Sequence, residues 1–226
     1  MITHYHDDLT CTERVAIVTG GSQGVGREVV RKLANRGYAV VVGYIRDQGA
    51  ADSIVEEVLA AGGTALTIRA DVADELDVER MFAETTEAFG GIDIVVHAAG
   101  QVILGPVADY DLDRFDTLQR TNVRGTFVVN RQAARQLREG GTIVNLSGCA
   151  VAPADAASAA SKGAVVAMTR VLAGELRGRH ITVNAVAPGL ENPGDPAVIV
   201  DVVAFLVSGD GRSLNGQVIR VDCGTE

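Results

Sequence analysis

Cysteine is scarce in this chain. Its three cysteines, Cys11, Cys149 and Cys223, are scattered and show no C-x-x-C or histidine-paired spacing. That excludes a disulfide framework and a cysteine-based metal site, and the three read as reduced thiols of a cytoplasmic protein. Positive charge is short as well: 20 Lys and Arg stand against 29 Asp and Glu, for a formal net charge of -9. Without a basic stripe, neither nucleic acid nor an anionic membrane is an expected partner. No apolar run is long enough to span a bilayer, and the longest, "AVIVDVVAFLV" at 197–207, is broken by Asp201. Linkers, low-complexity tracts and internal repeats are also missing. The opening "MITHYHDDLTCTE" lacks the basic and apolar regions of a secretory signal. Its His4 and His6 fall in a polar leader, residues 1–12, and no metal site is expected.

What the chain does have is apolar substance and glycine. Its 226 residues are 47% hydrophobic and include 26 glycines, enough for one sizeable core. Short β-branched runs at 14–20, 38–44, 64–71, 92–100, 141–148, 181–189 and 216–224 are apolar on both faces, as in a parallel sheet covered by helices. Segments of helical period lie between them, at 26–37, 50–63, 74–91, 112–141, 157–179 and 197–208. This alternation predicts a single α/β domain over 13–226: three layers, doubly wound around seven parallel strands.

The first strand runs into "TGGSQGVG" at 19–26 and then into a helix. Gly20 suits a tight turn, and Gly24 and Gly26 let backbone approach a pyrophosphate at the positive helix N-terminus, with Ser22, Gln23 and Val25 in the same turn. A helix start also favours glycine, but a glycine turn that follows a buried strand and opens a βαβ unit points to a nucleotide.

With this turn the chain resembles the short-chain dehydrogenases/reductases. Thr19, Gly20, Gly24 and Gly26 match that family's T-G-x-x-x-G-x-G. Further matches follow in order across nearly the whole chain: Asp71-Val72, "HAAG" at 97–100, Asn122 in "TNV", Lys162 in "ASK", "NAVAPG" at 184–189 and "GQVIRVDCG" at 216–224. The resemblance implies a Rossmann fold that binds a nicotinamide dinucleotide and a small-molecule substrate, in a homodimer or homotetramer. It implies Asp71 and Val72 at the adenine, His97, Ala98, Ala99 and Gly100 along the cofactor crevice, Lys162 on the nicotinamide ribose, and Pro188 and Gly189 beside the carboxamide. Relatives that prefer NAD place an acid at the end of the second strand. Here that position is Tyr44, and Arg46 follows with a guanidinium suited to a 2′-phosphate, so NADP is favoured over NAD. Ser22 can add a hydrogen bond.

The reaction end departs from the family. Its members use Y-x-x-x-K on one helix, where the i, i+4 spacing sets phenol and ammonium on one face and the lysine lowers the phenol pKa. An asparagine holds a water behind the lysine, and a serine polarises the substrate oxygen. Lys162 and Asn122 match, but the tyrosine position is Ser158. The serine position falls on Gly148, with Ser147 just before it. The substrate lid that relatives carry after Pro188-Gly189 is replaced by the short "LENPGDP". Tyr110, Asp109 and His97 are other groups near the pocket that could move a proton. Two readings stay open. One is an NADPH-linked oxidoreductase acting on carbonyl or alcohol groups, in which water held by Lys162, Ser158 and Asn122 replaces the phenol and Ser147 is a further catalytic candidate. The other is a cofactor-binding member without redox turnover: a regulatory subunit, a cyclase or a dehydratase.

Overall fold

A computed structural model of the chain describes residues 14–147, 154–188 and 196–221. Seven strands, β1 Val15–Thr19, β2 Ala39–Tyr44, β3 Ala65–Arg69, β4 Ile92–His97, β5 Leu137–Leu146, β6 Thr182–Pro188 and β7 Val218–Val221, form one sheet in the order β3-β2-β1-β4-β5-β6-β7. Every neighbouring pair is parallel. Such strands need crossovers, supplied by α1 Gly24–Ala34, α2 Gln48–Ala60, α3 Glu75–Phe89, α4 Leu112–Gln119, α5 Gly125–Gln136, α6 Ala156–Glu175 and α7 Pro196–Leu206.

The strands are apolar on both faces because both faces are covered. Ala16, Val18, Ile94, Val96 and Val144 pack under α1, α2 and α7, together with Val30, Leu33, Ile54, Val203 and Leu206. Their sequence neighbours Ile17, Val95 and Ile143 turn the other way and pack under α3, α5 and α6, with Val78, Met81, Phe82, Val129 and Ala173. Phe82, Ile17, Leu33, Ile54 and Ile143 lose all or nearly all of their exposure. Each such side chain contributes about 1.5–3 kcal/mol of transfer free energy. The sheet order reverses between β1 and β4, so a crevice opens at the carboxyl ends of these two strands, where ligands bind in open α/β sheets.

The strand and helix positions follow the sequence pattern closely, with one exception. The expected helix over 112–141 is three pieces: α4, a π-helical turn at Arg120–Arg124, and α5. Its last residues belong to β5. The π turn leaves the apolar period nearly unbroken, so periodicity does not reveal it, and such insertions are frequent at functional sites. The early start of β5 depends on Leu137 pairing with Ile92, after which the register shifts and Thr142 pairs with Ile94. Gly140, at φ +72, and Gly141, with no room for a Cβ beside the Asp93 and Arg138 carbonyls, carry the irregular stretch.

Candidate active site

The glycine turn is built around close backbone approach. Gly20, at φ +68, lies so near the start of the loop after β4 that a Cβ there would stand 2.9 Å from the Ala99 nitrogen. Gly26 is tighter, since its Cβ would come within 2.2 Å of the Gly20 carbonyl oxygen. Gly24 differs: it has φ +54 and only open space beside it. Its place at the first residue of α1 therefore presents bare backbone to the crevice. Gln23 at the N-cap makes no side-chain cap, and the first turn of α1 holds no acid. The uncapped N–H groups and the positive end of the dipole therefore meet no carboxylate from the helix's own first turn. Ser22 is buried and Val25 half-buried in the same turn.

At the end of β2, Tyr44 is buried in the core and only its backbone reaches the edge, where its carbonyl accepts from the Ala70 amide. Arg46 is exposed and makes no hydrogen bond or ion pair among the described residues. The neighbouring Asp47 is occupied, since its Oδ1 accepts from the Ala50 N–H and caps α2. Arg69, paired with Tyr44 across the sheet, donates its Nε–H to the Ile45 carbonyl. A free guanidinium therefore stands beside a carboxylate already in use. At the end of β3, Asp71 is fully engaged: Oδ1 accepts from Ala73 N–H and Oδ2 pairs with Arg120 at 2.8 Å. Val72 packs against the start of α5, where a Cβ on Gly125 would meet its side chain at 2.8 Å.

The carboxyl ends of β1 and β4 hold a buried polar cluster. Thr19 and His97 are paired in register, and Thr19 Oγ1 lies 2.8 Å from His97 Nδ1. Ala99 N–H donates to the same hydroxyl. Whether Thr19 Oγ1 or His97 Nδ1 donates depends on the ring tautomer; the other ring nitrogen is Nε2. That atom is buried without a partner. Burial, and secondarily the Lys162 charge, push the His97 pKa down to about 3, so the ring is neutral at physiological pH. This removes His97 as a neutral-pH proton donor of imidazolium type.

Lys162 projects from α6 to the same place. Its Nζ is 3.3 Å from the position a Gly100 Cβ would take, and Asn122 Oδ1 is 3.4 Å from that point. The absence of a side chain at Gly100 is what admits both groups. Burial lowers the Lys162 pKa, a shift that Asp155 partly opposes. The ammonium makes no hydrogen bond or ion pair among the described residues. Asn122, placed by the π turn, is used up locally: Oδ1 accepts from Gln101 N–H, and Nδ2 donates to the Gln101 carbonyl and to Ser161 Oγ. Its backbone carbonyl accepts from Thr126 Oγ1 at 2.6 Å.

Ser158 is buried, and its hydroxyl faces the loop after β4. It accepts from Ile103 N–H at 3.3 Å and donates to the Ile103 carbonyl at 3.4 Å. The Tyr110 hydroxyl donates to that same carbonyl at 2.8 Å, and its ring packs on Gly105. Asp109 is exposed in a 3-10 turn at Val107–Asp109. Ser147 follows β5 directly, with its N–H on the Val186 carbonyl and its Oγ donating to the Lys162 carbonyl at 3.2 Å. Pro188 ends β6. Gly148, Gly189 and the short connection 189–195 lie outside the described residues.

One residue absent from the sequence reading belongs to this group. Asp155 stands at the N-cap of α6 but its side chain does not cap the helix. It is 7% exposed, and its Oδ1 accepts no hydrogen bond. Its spacing to Ser158 (i, i+3) and Lys162 (i, i+7) places all three on one helical face, a signal readable once 156–175 is recognised as helix. Among the described residues no cluster of three or more metal-ligating side chains occurs.

The chain matches the model of the short chain dehydrogenase family over residues 14–194. It is 35% identical to a versicolorin reductase of Emericella nidulans, with 96% of this chain and 97% of that protein covered. That alignment runs over 257 residues, longer than the 226 of this chain, so the relative holds segments with no counterpart here. It is also 37% identical to a short-chain type dehydrogenase/reductase of Picea abies, covering 93% and 92%. Among solved structures, a short chain dehydrogenase of Burkholderia cenocepacia in complex with NADP superposes with a TM-score of 0.88 at 35% identity, covering 94% of this chain and 97% of that one. A blue fluorescent protein from a metagenomic library, in complex with NADPH, gives 0.85 at 34%, covering 92% and 96%. The fold, the family model and the extent of these matches agree: the chain belongs to the short-chain dehydrogenase/reductase family.

Proposed function

We propose that the crevice between the ends of β1 and β4 binds NADPH and that the protein is an NADP-linked oxidoreductase whose proton route differs from the family's. The observation that carries this reading is a set of three groups: the bare Gly24 turn, the Lys162 ammonium without a hydrogen-bond or ion-pair partner among the described residues, and the orphaned His97 Nε2. A dinucleotide fits that set. Thr19 to Gly26 would hold its pyrophosphate against the α1 N-terminus, Asp71 and Val72 its adenine, His97 to Gly100 and Lys162 its ribose, and Pro188 and Gly189 its carboxamide. Arg46 supports NADP over NAD as a free cation for a 2′-phosphate. The solved neighbours that carry NADP or NADPH point the same way.

When bound, the cofactor supplies or accepts a hydride at its nicotinamide ring. The protein's part is to orient, to exclude water and to handle the proton. Ser158 replaces the phenol, and both it and Asn122 are engaged with the backbone of the loop after β4. A water relay through them would have to displace Gln101 or Ile103. Lys162 is a group still able to donate: its buried ammonium holds a proton less tightly than usual and has no hydrogen-bond or ion-pair partner among the described residues. Reduction of a carbonyl here draws its proton from Lys162 or through it. The test is NADPH oxidation over a ketone panel, which is lost in Lys162→Ala if this route operates.

The second reading, a cofactor binder without turnover, is favoured by the same engagement of Ser158 and Asn122. It predicts NADPH binding with no consumption by any substrate. We place the protein in the cytoplasm; among the described residues no helix is long and apolar enough to cross a membrane. We also propose a homodimer or homotetramer paired through α4, α5 and α6. Phe127 is 57% exposed there and Val171 62%, and Met168 and Val123 line the adjacent groove. Sedimentation of wild type and Phe127→Glu tests this, the variant being expected to shift toward monomer.

A further inference from the structure

The site contains a buried negative group to which the carbonyl reading gives no direct contact with substrate. Asp155 is more than nine-tenths buried, and its Oδ1 accepts no hydrogen bond, although the residue sits at a helix N-cap where a carboxylate ordinarily finds one. A buried carboxylate oxygen without a donor is costly and is retained only where something else makes use of it. The preceding Ala154 adopts φ +65, a conformation strained for a residue with a Cβ, and its carbonyl is tied to the Gly105 N–H. The loop after β4 and the start of α6 therefore hold Asp155 in place. Asp155, Ser158 and Lys162 share one face of α6, and the Asp155 charge acts on the Lys162 ammonium, which lies against Gly100. Carboxylate, small hydroxyl and ammonium follow one another along one face. Lys162 alone would make this end of the crevice cationic, and Asp155 cancels that charge.

We propose that the substrate is an imine, bound as its iminium cation beside Asp155, with the corresponding amine as product. This rests on the NADPH reading given above. It accounts for the missing acid and the spare carboxylate together. A ketone must acquire a proton as it is reduced, and the phenol that would give it is absent. An iminium already carries that proton. A bound reduced nicotinamide would supply the hydride for the new C–H bond at the iminium carbon, and the C=N π pair would move onto nitrogen. Neutral amine and oxidised nicotinamide result, and no proton is transferred in the step. What the site must supply instead is a counter-charge for the cation against Lys162, and Asp155 is the carboxylate on that face. Ser158 between them is small, and its hydroxyl is turned to the Ile103 backbone.

The experiment uses the full chain with NADPH. NADPH binding is measured first by calorimetry. Turnover is then compared for 2-methyl-1-pyrroline and 3,4-dihydroisoquinoline against 2-methylcyclopentanone and 1-tetralone, each in wild type and Asp155→Asn. Equilibrium binding of the saturated amine 2-methylpyrrolidine, protonated at neutral pH, gives a readout independent of turnover. The expected result is imine kcat/KM at least about tenfold above the matched ketone. The amine should bind wild type, and Asp155→Asn should lower both imine kcat/KM and amine affinity by about 30-fold or more. The isosteric amide keeps the shape, and NADPH binding by the variant shows that it is folded. NADPH binding with ketones preferred, with neither class consumed, or with imine turnover and amine binding insensitive to Asp155→Asn overturns the imine proposal and leaves the cofactor reading standing. Failure to bind NADPH overturns the cofactor reading itself and the imine proposal with it.

Discussion

Ser158 and Lys162 stand four residues apart on one face of α6, yet their polar ends part company. The serine hydroxyl is bonded to the Ile103 backbone, while the lysine ammonium lies against Gly100 with no hydrogen-bond or ion-pair partner among the described residues. In the family's arrangement one phenol would bridge that gap. Ser158→Tyr therefore tests what the gap does. The ring must displace the Ile103 contact, an overpacking cost of about 1–3 kcal/mol read as a lower urea midpoint. If the phenol reaches Lys162, ketone reduction rises by about 10²–10⁴-fold in steady-state assays. A variant that gains ketone activity over an inactive wild type would exclude the Lys162 proton route in the natural chain.

The two glycines of the turn have opposite sensitivities. Gly26→Ala drives a methyl to 2.2 Å from the Gly20 oxygen, where only backbone can yield, and is expected to cost about 3 kcal/mol or more of unfolding free energy. Gly24→Ala meets no atom and costs about 1–2 kcal/mol, for its positive φ alone. Gly24→Asp adds a negative charge at the α1 N-terminus and should abolish NADPH binding in calorimetry while the chain stays folded by circular dichroism.

Arg46→Ala tests cofactor choice. Asp47 caps α2 and Arg46 is free, so removing the guanidinium takes a partner from a 2′-phosphate and nothing from NADH. NADPH Kd is expected to rise about tenfold, equivalent to about 1.4 kcal/mol, with NADH Kd nearly constant.

His97 makes stability depend on pH. Its folded pKa is about 3 and its ordinary value 6.5, so between those limits the unfolded chain binds the extra proton. The native state then loses about 1.4 kcal/mol per pH unit as pH falls through that window, and nothing above it. Urea midpoints measured from pH 8 to pH 4 should fall below about 6.5, and His97→Gln should flatten that part of the profile.

Much of this was legible in the sequence, for physical reasons that differ between the elements. The strands announce themselves because a parallel sheet covered on both sides needs unbroken apolar runs, as at Val15–Thr19 and Ile92–His97. Gly20, Gly24 and Gly26 were readable because a glycine turn between a buried strand and a helix is a local pattern, and Lys162 was readable through its match to the family's motif. The π turn at Asn122 was not, since an extra residue within a helix scarcely changes the apolar period. Nor were the states of Asn122 and Ser158: whether an amide or hydroxyl is free depends on where Gln101 and Ile103 pass, and only tertiary structure decides that. Asp155 was hidden for the same reason. An acid before a helix ordinarily caps it, as Asp47, Asp74 and Asp111 do here, and Asp155 does not.

Calorimetric titration of NADPH into wild type and Lys162→Ala decides whether the crevice around Lys162 is a nicotinamide dinucleotide site. Wild type should bind with a micromolar Kd, weakened about tenfold in the variant by loss of a charge-assisted hydrogen bond. No binding to wild type, or binding of equal strength to both proteins, would contradict that reading.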